Sequence, residues 1–90
     1  MSTDILVVDD EPDIRELIAG VLEDDGHGVR TAATAESAID EVRSRTPSLV
    51  VLDVWLQGSD MDGLSVLKYL KAIDPMLPVI VISGHGNVET

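Results

Sequence analysis

Runs of branched aliphatic residues recur along the chain and alternate with segments in which apolar residues follow a helical spacing. Three such runs and one weaker signal predict strands, at residues 4–8, 27–32, 48–53 and 79–83. Uninterrupted aliphatic runs of this kind are typical of strands buried on both faces, as in a parallel sheet. The pattern therefore predicts a parallel sheet.

The segments between the strands predict three amphipathic helices. The first begins with the acids and proline of residues 10–13 and should stop near Gly26. Thr34 can cap the second helix, and the third begins at about Gly63. In the first helix the apolar residues at helical spacing are Ile14, Leu17, Ile18, Val21 and Leu22. In the second they are Ala35, Ala38, Ile39 and Val42. The expected inner face of the third helix consists of Leu64, Leu67, Leu70 and Ile73.

This alternation of strands and helices predicts an α/β fold, a doubly wound parallel sheet with right-handed crossovers. Asp9 and Asp10 stand directly after the first aliphatic run, and Asp53 stands directly after a later one. Because open parallel sheets bind ligands beyond the carboxyl ends of their strands, these three acids should converge there. Carboxylates repel one another unless a cation joins them, and Mg²⁺ prefers oxygen ligands and substrate phosphates. The last strand delivers a hydroxyl, Ser83, followed by Gly84.

Each of these residues also has a simpler structural interpretation. Asp9 and Asp10 could be ordinary acids at a helix N-terminus, where the helix dipole favours them. Ser83 and Gly84 could form a turn, for reasons unrelated to phosphate. Asp53 strengthens the metal hypothesis, because it repeats the same placement at a second strand end.

Composition narrows the classes of function. The 90 residues predict one small domain, and the absence of cysteine excludes disulfides and thiolate metal sites. Seventeen acids against six bases give a net charge of −11, which makes direct nucleic-acid binding unlikely on electrostatic grounds. No apolar run is long enough to span a membrane, and the N-terminus does not resemble a secretion signal. We therefore expect a cytoplasmic protein without membrane contact.

The chain resembles the receiver domain of two-component response regulators over its whole length. The resemblance rests on residues 5–12, on Asp53 and on Ser83–Gly84, in that order at successive strand ends. Within that family the chain is most similar to the NtrX-type nitrogen regulators, on residues 52–59, 62–64 and 82–87. The resemblance implies a flavodoxin-like receiver fold and a role in signal transduction and transcription regulation.

The resemblance also implies a role for each site residue. Asp53 would be the phosphoacceptor, which takes a phosphoryl group from a sensor histidine kinase. Asp10, Asp53 and the backbone carbonyl of Trp55 would bind Mg²⁺ directly, and Asp9 would act through a water molecule. The phosphoryl group would accept hydrogen bonds from the Ser83 hydroxyl, which also serves in switching, and from the backbone N–H of Gly84.

A complete receiver continues beyond a fourth strand, whereas this sequence ends at Thr90. We therefore expect residues 1–90 to be a receiver domain truncated after the fourth strand, incomplete at its C-terminus and without an output domain. The strand at 79–83 would then be an exposed sheet edge beside an uncovered apolar face. Through one of these surfaces the chain is expected to form a homodimer.

Two alternatives remain open besides a non-enzymatic phosphoacceptor. One is a Mg²⁺-dependent phosphohydrolase with Asp53 as nucleophile; haloacid-dehalogenase-like enzymes usually place a second acid two residues later, where this chain has Trp55. The other is a dimerisation module that is not phosphorylated and whose acidic site is vestigial.

Overall fold

The computed structural model describes residues 3–53 and 63–82, and strands and helices alternate strictly within them. The elements are β1 (Asp4–Val8), α1 (Pro12–Asp24), β2 (Gly28–Ala32), α2 (Ala35–Ser44), β3 (Leu49–Asp53), α3 (Gly63–Ile73) and β4 (Val79–Ile82). The four strands form one parallel sheet in the order β2-β1-β3-β4. The predicted parallel α/β fold is therefore confirmed.

The register of the sheet places the ends of β1 and β3 side by side. Val8 at the end of β1 pairs with Leu52 on β3, so the next position on each strand carries an aspartate. β1 lies inside the sheet between β2 and β3, as expected for the first strand of a doubly wound fold. This register brings Asp9 and Asp53 to the same edge.

The core has two layers, one on each face of the sheet. Leu6 and Leu52 lie in the larger layer, which packs against α2 and α3, and both side chains are fully buried. Val7 and Val51 lie in the smaller layer, which packs against Ile18 and other residues of α1. Successive side chains of a strand point to opposite faces, so each aliphatic run supplies both layers.

Fewer apolar residues of α1 and α3 are buried against the sheet than their helical spacing in the sequence predicts. In α1, Leu17 and Val21 are 67% and 60% exposed, because the helix approaches the sheet through Ile18 and Leu22. The predicted inner face of α3 was wrong at two positions, Leu64 and Ile73, which are 56% and 40% exposed. The buried residues of α3 are Gly63, Val66 and Leu70, with Leu67 packed beside them.

The two connections that flank β2, from α1 and to α2, follow known capping chemistry. α1 ends at Asp24, close to the predicted stop, and Gly26 takes a positive φ of 93° that favours glycine. Thr34 caps α2 as predicted, and its hydroxyl accepts a hydrogen bond from the N–H of Ser37. The Ser37 hydroxyl in turn accepts from the N–H of Thr34, which completes a reciprocal cap.

Arg30 on β2 ties the amino-terminal end of the sheet together. Its Nε and Nη2 donate to the two carboxylate oxygens of Asp4 at 3.0 and 2.8 Å. Its Nη1 donates to Oε1 of Glu41 at 3.0 Å, and Nη2 also reaches the main-chain carbonyl of Arg45. The guanidinium thus joins β1, β2 and the end of α2, and the ion pair lowers the pKa of Asp4 below its ordinary value.

This ion pair predicts a pH-dependent contribution to stability. Because the folded state lowers the pKa of Asp4, the contribution is complete above the unfolded pKa and is lost as pH falls through the folded one. Asp4→Asn should therefore lower the free energy of unfolding by about 1 kcal/mol at neutral pH, since the pair is partly exposed. Urea unfolding of both proteins across the acidic range measures this difference, with Asp40→Asn on the exposed side of α2 as control. A difference that persists unchanged in strong acid would contradict the assignment.

Candidate metal centre

Three carboxylates meet at the carboxyl edge of the sheet. Asp9 follows β1 directly, Asp10 is the next residue, and Asp53 is the last residue of the neighbouring strand β3. One carboxylate oxygen from each lies within 4.8 Å of the other two. This acidic cluster, Asp9, Asp10 and Asp53, is the convergence that the strand pattern predicted.

The burial of the acidic cluster determines what it can bind. Asp9 and Asp53 are 0% exposed, whereas Asp10 is half-buried. Like charges held this closely away from water repel strongly, and a divalent cation between them reverses that repulsion. The donors are all carboxylate oxygens, which suit a hard ion such as Mg²⁺, and no thiol or imidazole competes within the cluster. The residues present therefore fit Mg²⁺.

The loop that carries two of these acids is fixed by its own hydrogen bonds. We call residues 9–11 the acidic loop. The N–H of Asp9 donates to the carbonyl of Ala32 at 3.1 Å, which extends the pairing of β1 with β2. The N–H of Glu11 donates to Oδ1 of Asp9 at 2.9 Å. Asp9 thus has a structural role at the helix entrance as well as a place in the acidic cluster.

One contact at the acidic loop is not predicted by the sequence pattern. Nη1 of Arg15, in the first turns of α1, donates to the main-chain carbonyl of Asp9 at 2.8 Å. An ion pair on a helix can be recognised in a sequence, because oppositely charged residues recur at a fixed spacing. The acceptor here is a backbone oxygen, so the sequence pattern gives no sign of this contact. The remaining predicted site residues, Trp55, Ser83 and Gly84, lie outside the described residues.

Comparison with known proteins points to one family. A family model for the response regulator receiver domain matches residues 5–90. The chain is 56% identical over its full 90 residues to the nitrogen assimilation regulatory protein NtrX of Azorhizobium caulinodans, of which it covers 20%. It is 42% identical over 85 residues to the probable transcriptional regulatory protein TcrX of Mycobacterium tuberculosis, a match that covers 94% of this chain and 36% of that protein.

Solved structures agree with the sequence comparison. The receiver domain of NtrX from Brucella abortus matches with a TM-score of 0.89 and 60% identity, over 93% of this chain and 70% of that one. A CheY-like receiver domain from Methanospirillum hungatei matches with a TM-score of 0.88 at 27% identity, over 98% of this chain and 69% of that one. The same sheet thus persists in relatives whose sequences have diverged widely.

The parallel sheet and the acidic cluster at its carboxyl edge define a receiver-type signalling domain, a regulatory class of protein. The chain belongs to the response regulator receiver domain family. Within it the sequence is similar to NtrX, so the resemblance to NtrX-type regulators is confirmed. The chain spans 20% of the length of the NtrX protein from Azorhizobium. Among the described helices, none has the length and apolar character needed to cross a bilayer.

Binding of Mg²⁺ to the acidic cluster should increase the stability of the folded chain. Because only the folded chain assembles the acidic cluster, Mg²⁺ at ten times its dissociation constant should stabilise the native state by about 1.4 kcal/mol. Asp10→Asn should raise the melting temperature of the metal-free protein, since it relieves repulsion, and should reduce the gain from Mg²⁺. Thermal unfolding with and without millimolar Mg²⁺ provides the measurement.

The control for this prediction is Asp13→Asn, which removes an exposed acid from the first turn of α1, close to the acidic cluster in sequence. It should keep the full response to Mg²⁺. An equal loss of response in both variants would indicate a general effect of charge and would count against the acidic cluster as the site.

Proposed function

We propose that this chain is a phosphoacceptor module, in which Asp53 takes a phosphoryl group from a sensor histidine kinase with the help of Mg²⁺. The observation that supports the proposal is the position of Asp53, fully buried at the end of β3 and within 4.8 Å of two further carboxylates. The family to which the chain belongs consists of receiver domains of response regulators. The module would act in the cytoplasm within a longer regulator, such as those relatives of which the chain covers 20%.

The proposed reaction is a displacement at phosphorus. A carboxylate oxygen of Asp53 forms the new bond to phosphorus, and the bond from phosphorus to the imidazole nitrogen of the kinase histidine breaks. The electron pair of that bond stays with the imidazole, which then takes up a proton. The product is an acyl phosphate on Asp53, and no oxidant or further reactant is required.

The chain's own residues would supply position and charge. Asp53, the nucleophile, lies at the buried end of β3. Asp10, Asp53 and the carbonyl of Trp55 would hold Mg²⁺, and Asp9 would act through water. Bound Mg²⁺ would neutralise the charge on the transferred oxygens, which is the main requirement of phosphoryl transfer. Ser83 and the N–H of Gly84 would donate hydrogen bonds to the phosphoryl group. These assignments are the proposed roles of the site residues.

A phosphohydrolase would use Asp53 as its nucleophile as well, but it must also hydrolyse the phosphorylated aspartate and release phosphate in every catalytic cycle. No second acid stands two residues after Asp53, where Trp55 lies instead, so the chain lacks the acid that such enzymes commonly use. Receiver domains are regulatory modules, and the phosphoacceptor function accounts for the acidic cluster without further catalytic groups. We therefore favour the phosphoacceptor over the hydrolase.

Modification of Asp53 tests the proposal. A small phosphodonor with Mg²⁺ should add one phosphoryl group to the chain, and Asp53→Asn should abolish the addition while the protein still folds. Intact mass spectrometry and the circular dichroism spectrum follow the two properties separately. Asp13→Asn serves as the matched control and should be modified like the unsubstituted chain. Phosphorylation that survives in Asp53→Asn, or that maps to another residue, would overturn the assignment.

We further propose that the chain self-associates through the edge that β4 forms in the described sheet. Ile80 and Val81 on this strand are 52% and 40% exposed. Ile80 pairs with Val51 and so lies on the same face of the sheet as α1. Among the described elements, α1 packs over β1 and β2 and not over β4. A second copy would cover the same apolar patch on both molecules, as a two-fold dimer does.

Charge gives this association a distinctive salt dependence. Two copies that each carry a net charge of −11 repel at low ionic strength, so added salt should strengthen the dimer. Ile80→Lys should leave a monomer, whereas Leu64→Lys, at an equally exposed site on the opposite layer, should still associate. Sedimentation equilibrium of the three proteins at concentrations on the order of 10 μM tests this. A monomeric unsubstituted chain in high salt would exclude the proposed dimer.

A further inference from the structure

Arg15 connects helix α1 to the acidic loop, although the proposed chemistry does not use it. Its backbone N–H donates to the carbonyl of Glu11 at 3.0 Å, as part of the first turn of the helix. Its side chain reaches in the other direction, and Nη1 donates to the carbonyl oxygen of Asp9 at 2.8 Å in a partly buried contact. One residue thus joins the start of α1 to the end of β1.

The bond to the Asp9 carbonyl constrains the position of Asp10. The peptide unit is planar, so the carbonyl oxygen of Asp9 and the N and Cα of Asp10 lie in one plane. When Arg15 holds that oxygen, the plane can no longer rotate freely, and the direction in which Asp10 leaves the backbone is restricted. Asp10 is the half-buried member of the acidic cluster, so packing restrains it less than it restrains the two fully buried acids.

Other hydrogen bonds hold the two ends of the acidic loop. The N–H of Asp9 is held by Ala32, and the side chain of Asp9 is held by the N–H of Glu11. These fix the entrance and exit of the loop. Arg15 adds a hydrogen bond to the central peptide plane, between the two adjacent aspartates.

We propose that Arg15 is a positioning residue for the Mg²⁺ site, and that it orients Asp10 through the main-chain carbonyl of Asp9. The inference rests on the proposed function, because it concerns the same acidic cluster. Groups that orient metal ligands commonly change metal affinity by ten- to hundredfold when they are removed. Arg15→Met should accordingly weaken Mg²⁺ binding about tenfold.

The direction in which Mg²⁺ affinity changes when Arg15 is replaced distinguishes a positioning role from a purely electrostatic one. A cation next to three carboxylates repels Mg²⁺, so a purely electrostatic role predicts tighter binding when Arg15 is removed. A positioning role predicts weaker binding despite the added negative charge. Arg15→Lys keeps the positive charge and a nitrogen that can donate but loses the planar guanidinium, and its Mg²⁺ affinity should fall between those of the unsubstituted chain and Arg15→Met.

Calorimetric titration with Mg²⁺ tests the proposal on the 90-residue chain and the two Arg15 variants. Arg43→Met is the matched control, since it removes an exposed arginine from α2 on the other face of the sheet. It should bind Mg²⁺ as well as the unsubstituted chain or slightly better. If Arg15→Met does not fold, Arg15→Lys carries the test alone and should still bind severalfold more weakly than the unsubstituted chain.

Hydrogen exchange in the metal-free proteins gives a second readout that needs no Mg²⁺. Loss of the restraint should speed exchange at the amides of Asp10 and Glu11 severalfold in Arg15→Met, and not in Arg43→Met. Affinity that is unchanged or tighter in Arg15→Met, or exchange that is unchanged, would overturn the positioning role. An unsubstituted chain that binds no Mg²⁺ would instead overturn the proposed function, and this inference with it.

Discussion

The parallel pairing of β1 with β3 is the constraint on which the rest of the structure depends. In-register pairing of two parallel strands brings residues from distant parts of the sequence to one edge, and here it gathers Asp9, Asp10 and Asp53 within 4.8 Å. An apolar core on both faces of the sheet maintains that pairing against the mutual repulsion of the carboxylates. The chain therefore uses the stability of its core to hold a charge arrangement that favours a cation.

The two ends of the sheet differ in how their charged side chains are arranged. At the amino end, Arg30 is matched by Asp4 and Glu41 and by backbone carbonyls, so its charge is balanced within the fold. At the carboxyl end, acids of one sign are held together, and the guanidinium of Arg15 binds a backbone oxygen in the acidic loop. The ion pairs of Arg30 and the acidic cluster thus lie at opposite ends of the sheet. The amino end of the sheet therefore has balanced charges, whereas its carboxyl edge gathers acids.

The sequence predicted the features that depend on local pattern and chain order. The aliphatic runs indicated the strands, and the aspartates directly after two of them indicated where the site lies, because strand ends converge in a parallel sheet. Side-chain exposure was less predictable: Leu17 and Leu64 fit the helical spacing but lie outside the narrow contact that each helix makes with the sheet. The bond from Arg15 to the backbone of Asp9 was missed, because a carbonyl acceptor is present at every residue and leaves no sequence signal.

The central claim is that the acidic cluster is a Mg²⁺ site that prepares Asp53 for phosphorylation. A crystal structure of the chain grown with Mg²⁺ and beryllofluoride tests it most directly, since the second compound mimics a phosphoryl group on a carboxylate. The account predicts an ion at about 2.1 Å from carboxylate oxygens of Asp10 and Asp53, a water molecule between the ion and Asp9, and the beryllium group on Asp53. An ion bound elsewhere, or a beryllium group on any other residue, would contradict it.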